Sequence, residues 1–376
     1  MTRVEEHILA ADVGGTHTGV AILAYGGADR FEIVRHRIYR SRSVENFPSL
    51  YRSFIEKEGR GLRPAIRKAC IDFAGPIGAD RSAARLTNLQ QGFTAAEVME
   101  STGVEELTLL NDFEAVGYGL EILVANQPEA FVRLSRAGRL PPTHGKKPTA
   151  VVIGAGTGLG TTVLIHDPVT GKYRPTPGEG GHVDFVAVDE EEYRIAAWIR
   201  TRRNISSRNP LNCEKVVSGP GLVNVFQALS ELHPELVRPA LSRKVEQADP
   251  YDRPAIITRN VSKSPLCRRA LDTWLRCYGR AAKNAATFPL APGGVFLAGG
   301  IAAKILPEMR SGQFMREFTR CDVPTIIPLL KRTPVFVVTD YRIGLFGCAS
   351  VAINFAAELG VKTRTLNRNP QLKESG

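Results

Sequence analysis

Apolar and small residues follow the same order at two places along the chain. Residues 8–23, ILAADVGGTHTGVAIL, and residues 149–165, TAVVIGAGTGLGTTVLI, each consist of an apolar run, a turn of small residues and a second apolar run. When Thr16 is aligned with Thr157, the two segments match at an offset of 141 residues. A repeat of this kind predicts two lobes of similar plan, each beginning with a β-hairpin.

The rest of the pattern predicts alternating strands and helices. Short apolar runs predict strands, and apolar residues at helical spacing predict helices. The polar residues 125–148 are interpreted as an excursion between the lobes, and residues 233–264 as a surface insertion. The predicted strands are 70–74, 107–110, 293–301 with its turn, and 335–338, and the predicted helices are 94–101, 113–123, 190–203, one after Ser218, 266–288 and 345–359.

Length and composition indicate a globular protein with two packed lobes. The chain has 376 residues, of which 43% are hydrophobic and 23% charged, and this length exceeds one ordinary core. The formal net charge is +11, but the 49 Lys and Arg residues are spread along the chain and fit no nucleic-acid motif. We interpret the charge as a basic surface that attracts an anionic substrate such as a nucleotide.

Cysteine spacing and the lack of long apolar runs bear on the compartment. The six cysteines, at 70, 213, 267, 277, 321 and 348, show no CxxC pairing and no histidine at ligand spacing, so neither a zinc site nor a disulfide framework is predicted. Residues 1–15 do not resemble a signal peptide, and no run reaches the roughly 18 apolar residues of a membrane helix. We therefore expect a cytoplasmic protein with reduced thiols.

The glycine pattern of the hairpins favours phosphate binding. Gly154, Gly156, Gly158 and Gly160 alternate at period two and precede the strand-like TTVLI, whereas a Rossmann fingerprint leads into a helix. A tip of glycine and threonine presents backbone N–H groups and a hydroxyl to an anion. A tight turn without a ligand is the alternative for either copy, and the presence of two copies favours phosphates.

Asp12 ends the first predicted strand, directly before Gly14, Gly15 and Thr16. A carboxylate beside a phosphate loop would repel the phosphates unless a divalent cation lay between them. Asp12 is therefore a candidate to hold hydrated Mg²⁺, with an Asx-type turn as the alternative interpretation.

Asn111 and Asp112 stand where an apolar strand is followed by a predicted helix. Either residue could cap that helix, since Asn and Asp are favoured N-cap residues. A carboxylate at the carboxyl end of a strand also lies where α/β folds bind ligands. From position alone the cap is the better supported interpretation, and both roles are compatible with one another.

Glu179 and His182 lie in PGEGGHVDF at 177–185. The glycines around Glu179 let the backbone approach a small ligand while the two side chains converge on it. The alternative is a loop with a solvent-facing Glu and a structural His. A metal site is not predicted, because it would require further ligands nearby. A neutral polyhydroxylated ligand needs several donors and acceptors. The candidates for that set are Asn111, Asp112, Glu179, His182 and Glu214, of which Glu214 has the weakest local support.

Seven short motifs together resemble those of the bacterial-type glucokinases in the hexokinase–actin–Hsp70 superfamily. They occur in family order from near the first residue to about Ala357, so the resemblance covers nearly the whole chain. Each motif alone is weakly specific, and their joint occurrence is highly specific. The motifs are ADVGGT at 11–16, LTNLQQGF at 86–93, LLNDFEAV at 109–116, GAGTGLG at 154–160, PGEGGHVDF at 177–185, SGPGLVN at 218–224 and GGVFLAGGI at 293–301.

The resemblance implies an α/β fold of two RNase-H-like, actin-like ATPase lobes with a cleft between them. The expected small lobe spans residues 1–123 plus about 350–376, and the expected large lobe spans 124–349. The implied reaction is phosphorylation of D-glucose by ATP at the 6-hydroxyl, in glycolysis, with Mg²⁺ as cofactor. A cytoplasmic homodimer is expected, with glucose and ATP as ligands and no nucleic-acid or membrane partner.

The resemblance also implies a role for each matching position, with Asp112 as the general base. The implied sugar ligands are Asn88, Asn111, Asp112, Glu179, His182 and Glu214. The implied nucleotide residues are Asp12, Gly14, Gly15, Thr16, Gly156, Thr157, Gly158, Gly299 and Gly300, and Asp12 is also the implied Mg²⁺ residue, acting through water.

The chain departs from the family pattern at a few places. His17 follows GGT where many relatives have Asn, and Ala11 stands where Gly often precedes the aspartate. The insertion at 233–264 and the basic tail after Lys362 lack obvious equivalents, so their roles stay open. The Cys-rich zinc motif of the repressor–open-reading-frame–kinase group does not occur in the sequence, which argues against that neighbouring family.

Three other functions share parts of this pattern. A hexokinase of broader specificity would also accept mannose or glucosamine, which present similar hydroxyls. A non-catalytic sugar sensor predicts a lost base or a DNA-binding appendage, yet Asp112 is present and no helix-turn-helix precedes Ile8. An actin-like or Hsp70-like ATPase that moves a protein partner would leave Glu179, His182 and Glu214 without a purpose.

Overall fold

The structure, a computed structural model, describes residues 4–75, 77, 80–85, 92–136, 138–206 and 208–358. Its strands are β1 (Glu6–Val13), β2 (His17–Tyr25), β3 (Phe31–Arg40), β4 (Lys68–Phe73), β5 (Ala83–Arg85), β6 (Gly92–Thr94), β7 (Glu106–Asn111), β8 (Phe131–Arg133), β9 (Ala150–Ala155), β10 (Leu159–His166), β11 (Tyr173–Gly178), β12 (Gly294–Ala298) and β13 (Val335–Val338). Its helices are α1 (Phe47–Glu58), α2 (Ala95–Thr102), α3 (Asp112–Asn126), α4 (Glu190–Arg202), α5 (Gly219–Leu232), α6 (Pro239–Gln247), α7 (Arg253–Arg259), α8 (Pro265–Thr287), α9 (Gly300–Lys304), α10 (Leu306–Met309), α11 (Gln313–Phe318), α12 (Ile327–Arg332) and α13 (Ile343–Glu358).

Two mixed sheets of similar plan form the framework. The first has the order β3-β2-β1-β4-β7, in which β1 to β3 form an antiparallel meander and β4 and β7 run parallel to β1. The second has the order β11-β10-β9-β12-β13-β8, in which β9 to β11 form the meander and β12 and β13 run parallel to β9. Both predicted hairpins are present, as β1–β2 and β9–β10, and the predicted two-lobed α/β fold is confirmed.

Helices α3 and α13 lie between the two sheets. Their buried residues form one apolar cluster with Ile8 of the first sheet and with Val152 and Phe296 of the second. The two helices pack closely, since a β-carbon at Gly347 would stand 1.8 Å from the Ala115 carbonyl oxygen. This helix pair therefore joins the lobes, and the turn before α3 lies at their junction.

Capping residues explain where several predicted helices begin and end. Thr94 and Glu97 form a capping box at the start of α2, and Gly103 ends that helix with a φ of 75°. The Asp189 and Ser218 side chains cap α4 and α5 by accepting backbone N–H groups. The predicted strands and helices are confirmed, with ends that differ by a few residues.

Two stretches in which no strand or helix was predicted contain regular structure. Within 125–148, β8 pairs antiparallel with β13 at the edge of the second sheet. Within 233–264, α6 and α7 bury Val245 and Ile257 in the core of the second lobe. Most other residues of 233–264 are exposed or half-buried, as expected of a surface segment, and prolines and charges concealed the few apolar positions of its two helices. Strand β3 and helix α1 were not predicted.

Two further expectations concern membrane-spanning helices and the state of the cysteines. Among them, no helix is long and apolar enough to cross a bilayer, and all six cysteines are free thiols. Helix α13 packs on β1 and β4 as well as on α3. The lobe boundaries stay a prediction, and residues 359–376, which include the basic tail after Lys362, lie outside the described residues.

Candidate active site

The tips of the two glycine hairpins meet between the lobes. The Thr16 and Thr157 hydroxyl oxygens are 2.8 Å apart, which is hydrogen-bonding distance. The first tip is a tight turn in which the Gly14 N–H donates to the His17 carbonyl at 3.0 Å. The aligned threonines of the sequence repeat therefore touch in three dimensions, and both hairpins border one common space.

Two carboxyl groups lie side by side at the ends of β1 and β4. Asp12 and Asp72 are partners in the parallel ladder. A β-carbon at Gly344, at the start of α13, would stand 3.0 Å from Asp72 Oδ2 and 3.6 Å from Asp12 Oδ2. Burial raises the pKa of both carboxyls, and the charge of Asp12 raises that of Asp72 further. Asp72 is buried and Asp12 is half-buried beside it, and in their ionised form two adjacent carboxylates are a hard oxygen donor set that suits Mg²⁺.

Asp72 was not predicted as part of the site. Its Oδ2 accepts a hydrogen bond from Cys348 Sγ at 3.4 Å. The only sequence signal was a single carboxylate inside the apolar run CIDFA at 70–74. Within the described part of the chain, no group of three or more His, Cys, Asp and Glu side chains is arranged to hold a metal ion, so any cation here would depend on one or two carboxylates and on its other ligands.

The Asn111–Asp112 pair lies where β7 passes into α3. Asn111 Oδ1 accepts the Phe113 N–H at 3.0 Å and the Glu114 N–H at 3.3 Å, which confirms its interpretation as the N-cap. Asp112 Oδ1 also accepts the Phe113 N–H, at 3.0 Å. The Phe113 ring lies against Gly160 of the second hairpin. Asp112 is therefore held between the first sheet and the second hairpin.

The environment of Asp112 makes its carboxyl an unusually weak acid. Burial raises the pKa of Asp112 to about 7, and the charges of Asp12 and Glu179 contribute to the increase. The hydrogen bond from the Phe113 N–H lowers the pKa of Asp112, because it stabilises the carboxylate. A carboxyl with a pKa near neutrality can exchange a proton with a substrate at physiological pH.

Glu179 and His182 lie on an exposed turn near Asp112. Glu179 Oε2 and His182 Nε2 are 3.6 Å apart, and the side chains are 82% and 56% exposed. The turn packs on the second hairpin, because the Gly180 N–H donates to Thr161 Oγ1 of β10 at 3.1 Å. Asn212, which was not predicted, places its Nδ2 3.4 Å from His182 Nδ1. Its sequence signal was weak, since an Asn before a short turn is usually only a cap.

Backbone contacts hold this turn and Glu214 against the second hairpin. A β-carbon at Gly181 would stand 2.2 Å from the Leu159 carbonyl oxygen, so this approach requires glycine. Glu214 Oε2 accepts the Leu159 N–H at 3.0 Å. One carboxylate oxygen of Glu214 therefore bonds the hairpin itself. Asn88, the remaining expected sugar ligand, lies outside the described residues.

The expected nucleotide-binding residues of the large lobe come from separate segments that pack against one another. Gly299 has a φ of 86°, and a β-carbon there would stand 2.8 Å from the Ala155 carbonyl oxygen. Gly300 follows as the first residue of α9. The Gly219 N–H, at the start of α5, donates to the Gly156 carbonyl at 2.8 Å. The Gly299 turn and the start of α5 thus both lie against the second hairpin.

Comparisons with known proteins identify the family from the sequence and the fold from solved structures. The family model described as Glucokinase matches residues 9–355. The glucokinase of Nostoc punctiforme is 31% identical over 355 residues, which cover 92% of this chain and 98% of that protein. The crystal structure of a glucokinase from Balamuthia mandrillaris in complex with glucose has a TM-score of 0.74 at 21% identity, covering 93% of this chain and 94% of that one. The crystal structure of a ROK family glucokinase from Streptomyces griseus in complex with glucose and AMPPNP has a TM-score of 0.62 at 15% identity. This match covers 93% of this chain and 99% of that one.

The paired sheets, each with a glycine hairpin at its start, form the same two-lobed, actin-like α/β fold as these crystal structures. The family match extends over nearly the whole chain, and the sequence identity to a curated member exceeds 30%. The chain therefore belongs to the glucokinase family, and the resemblance inferred from the seven motifs is confirmed.

Proposed function

We propose that this protein is a glucokinase that transfers the γ-phosphoryl group of ATP to the 6-hydroxyl of D-glucose, in glycolysis. The observation that supports this most directly is the position of Asp112, held at the junction of the lobes with its pKa raised to about 7. Family membership supports glucose as the substrate. The structural relatives that bind glucose and AMPPNP are consistent with a sugar and a nucleotide sharing one cleft.

Asp112 is the proposed general base. It accepts the proton of the 6-hydroxyl as the 6-oxygen attacks the γ-phosphorus in line with the leaving oxygen. Help of this kind is typically worth about 10²–10⁴-fold in rate. Positioning and charge stabilisation supply most of the remaining acceleration, and closure of the lobes excludes the water that would otherwise hydrolyse ATP.

The other polar residues of the cleft are the proposed sugar ligands. Asn111 uses Oδ1 for the helix cap, so its amide N–H groups are the ones that donate to a hydroxyl. Glu179 and His182 are exposed side by side on their turn and supply acceptors and a donor. Glu214 and Asn88 complete the proposed set, on the strength of the family resemblance.

The two hairpin tips are the proposed phosphate site, and Asp12 with Asp72 beside it is the proposed Mg²⁺ site. A bound Mg²⁺ would neutralise phosphate charge and favour the carboxylate form of Asp12. Asp12 would hold the ion through water, and Asp72 would add a second carboxyl next to it. The proposed nucleotide residues are Asp12, Gly14, Gly15, Thr16, Gly156, Thr157 and Gly158 for the phosphates and Gly299 and Gly300 for adenosine.

We also propose a cytoplasmic homodimer whose small lobe consists of residues 1–123 plus about 350–376. The six free thiols support a reducing compartment. The packing of α13 on β1 and β4 supports its assignment to the small lobe. The dimer rests on the family resemblance.

A panel of sugars and phosphoryl donors in a coupled assay tests the function. We expect ATP consumption with glucose and lower kcat/KM values with mannose and glucosamine. Glucose alone should also raise the thermal midpoint, because a ligand that binds only the native state stabilises it. Stabilisation by glucose without ATP consumption would indicate a sugar sensor. Equal kcat/KM values for the three sugars would indicate a broader hexokinase.

The rate is expected to fall as the pH decreases through about 7. A general base must be unprotonated, and burial raises the pKa of Asp112 to about 7, so acid removes the active form. A bound cation favours the carboxylate, so we expect the midpoint of kcat/KM for glucose within about one unit below 7. Circular dichroism at each pH controls for unfolding. A profile that is flat down to about pH 5 would contradict the assignment.

A further inference from the structure

The Arg81 guanidinium lies against the turn between β7 and α3. Its Nη1 donates to the Leu109 carbonyl at 3.1 Å and to Glu114 Oε2 at 3.0 Å, and its Nη2 donates to Glu114 Oε1 at 2.8 Å. Leu109 precedes Asp112 by three residues, and Glu114 follows it by two. One side chain therefore bonds both sides of the turn that contains Asp112.

The Arg81–Glu114 pair is shielded from water. The Glu114 side chain is 6% exposed and the Arg81 side chain is 27% exposed, so the loss of Arg81 would leave a buried carboxylate unpaired. A planar guanidinium meets a carboxylate with two parallel hydrogen bonds, which fixes the direction of the pair as well as its length. A lysine would supply the charge without this geometry.

The backbone of Arg81 has a φ of 55°, in the left-handed region that residues with a β-carbon rarely adopt. Such conformations persist where the surrounding contacts hold them, and they concentrate at functional sites. Arg81 also lies two residues before β5, which pairs antiparallel with β6. In sequence, Asn88 lies between these two strands. Arg81 therefore links the segment leading to that region with the turn of Asp112.

We infer that Arg81 is a positioning residue for Asp112, with Glu114 as its anchor on α3. The inference rests on the proposed role of Asp112 as the general base. A base works only within hydrogen-bond reach of its proton, and a misplacement of about 1 Å costs on the order of 10²-fold in rate. Arg81 acts through the Leu109 backbone carbonyl on one side of Asp112 and through the Glu114 side chain on the other.

Kinetics of Arg81 variants test this role. Arg81→Ala is expected to lower kcat about 10- to 100-fold and to change the KM for ATP less than threefold, because the nucleotide loops are untouched. Arg81→Lys should recover only part of the rate. The double variant Arg81→Ala/Glu114→Ala should have a kcat close to that of Arg81→Ala, because the two residues act as one unit.

Arg37→Ala is the matched control. Arg37 Nε bonds Glu58 Oε1 at 3.0 Å, and the pair connects β3 with α1 on an exposed surface of the same lobe. Its loss should leave kcat within about twofold of the wild type, since exposed ion pairs contribute little.

Hydrogen exchange supplies a readout that needs no turnover. Residues 109–116 are expected to exchange faster in Arg81→Ala than in the wild type and in Arg37→Ala. If Arg81→Ala lowered only the thermal midpoint, with kcat and the exchange of 109–116 unchanged, the inference would be overturned. A wild-type protein that phosphorylates no sugar would overturn the proposed function instead, and the exchange experiment would still decide whether Arg81 holds the turn.

Discussion

Asp112→Asn is expected to lower kcat by about 10²–10⁴-fold while the Kd for glucose changes little. An asparagine Oδ1 can accept the Phe113 N–H as Asp112 does, at 3.0 Å, so the turn is preserved. The amide cannot take a proton from a hydroxyl at neutral pH, so the chemical step loses its base. The other proposed hydroxyl ligands are unchanged, so sugar binding persists. Steady-state rates and calorimetric titration with glucose measure the two effects separately.

Asp189→Asn makes the same chemical change at the start of another helix. Asp189 Oδ1 accepts the Glu192 N–H at 2.9 Å as the cap of α4, and asparagine caps a helix about equally well. This control should keep the kcat of the wild type. Retained turnover in Asp112→Asn would refute the role of Asp112 as base, and a large loss of glucose affinity would show that its main role is to bind the sugar.

Gly347→Ala is expected to reduce the free energy of unfolding by about 3 kcal/mol, the upper end of the usual cost of overpacking. The new β-carbon would stand 1.8 Å from the Ala115 carbonyl oxygen and 2.8 Å from the Gly119 nitrogen. Both are backbone atoms, which cannot rotate away as the end of a side chain can, so α3 and α13 would have to separate. The midpoint of denaturant unfolding measures the loss. Because α3 begins at Asp112, kcat should decrease as well.

Gly300→Ala is the matched control for stability. At Gly300 the nearest atom to a new β-carbon is the Lys304 Nζ at 3.8 Å, the far end of a flexible side chain. Alanine restricts the unfolded chain more than glycine does, so we expect a change between zero and a gain of about 1 kcal/mol. If Gly347→Ala unfolded at the same midpoint as the wild type, the close packing of α3 against α13 would be contradicted.

Much of the fold was predictable because its signals are local. The two hairpins follow from apolar runs around alternating glycines, and the starts of α2 and α5 follow from the caps Thr94 and Ser218. Prediction failed where the local pattern was ambiguous. Helices α6 and α7 bury a few apolar residues among many charges and prolines, so periodicity alone did not reveal them.

The candidate site was predictable only in part. Asn111 as a cap, and Glu179 next to His182, follow from neighbours in the sequence. Asp72 and Arg81 do not, because their partners lie tens of residues away along the chain. Asp72 meets Asp12 only through the pairing of β4 with β1, and Arg81 meets Glu114 only when its segment folds against the start of α3.

The sequence by itself determined the elements, their caps, the two glycine hairpins and the resemblance that led to the family. The tertiary structure decided how those elements meet: Thr16 on Thr157, Asp72 beside Asp12, Glu214 on the Leu159 amide and α3 against α13. The physical reason is that these interactions differ in their range along the chain. Propensity and periodicity act over a few residues, whereas burial, and with it the raised pKa of Asp112, depends on segments that only the packed fold brings together.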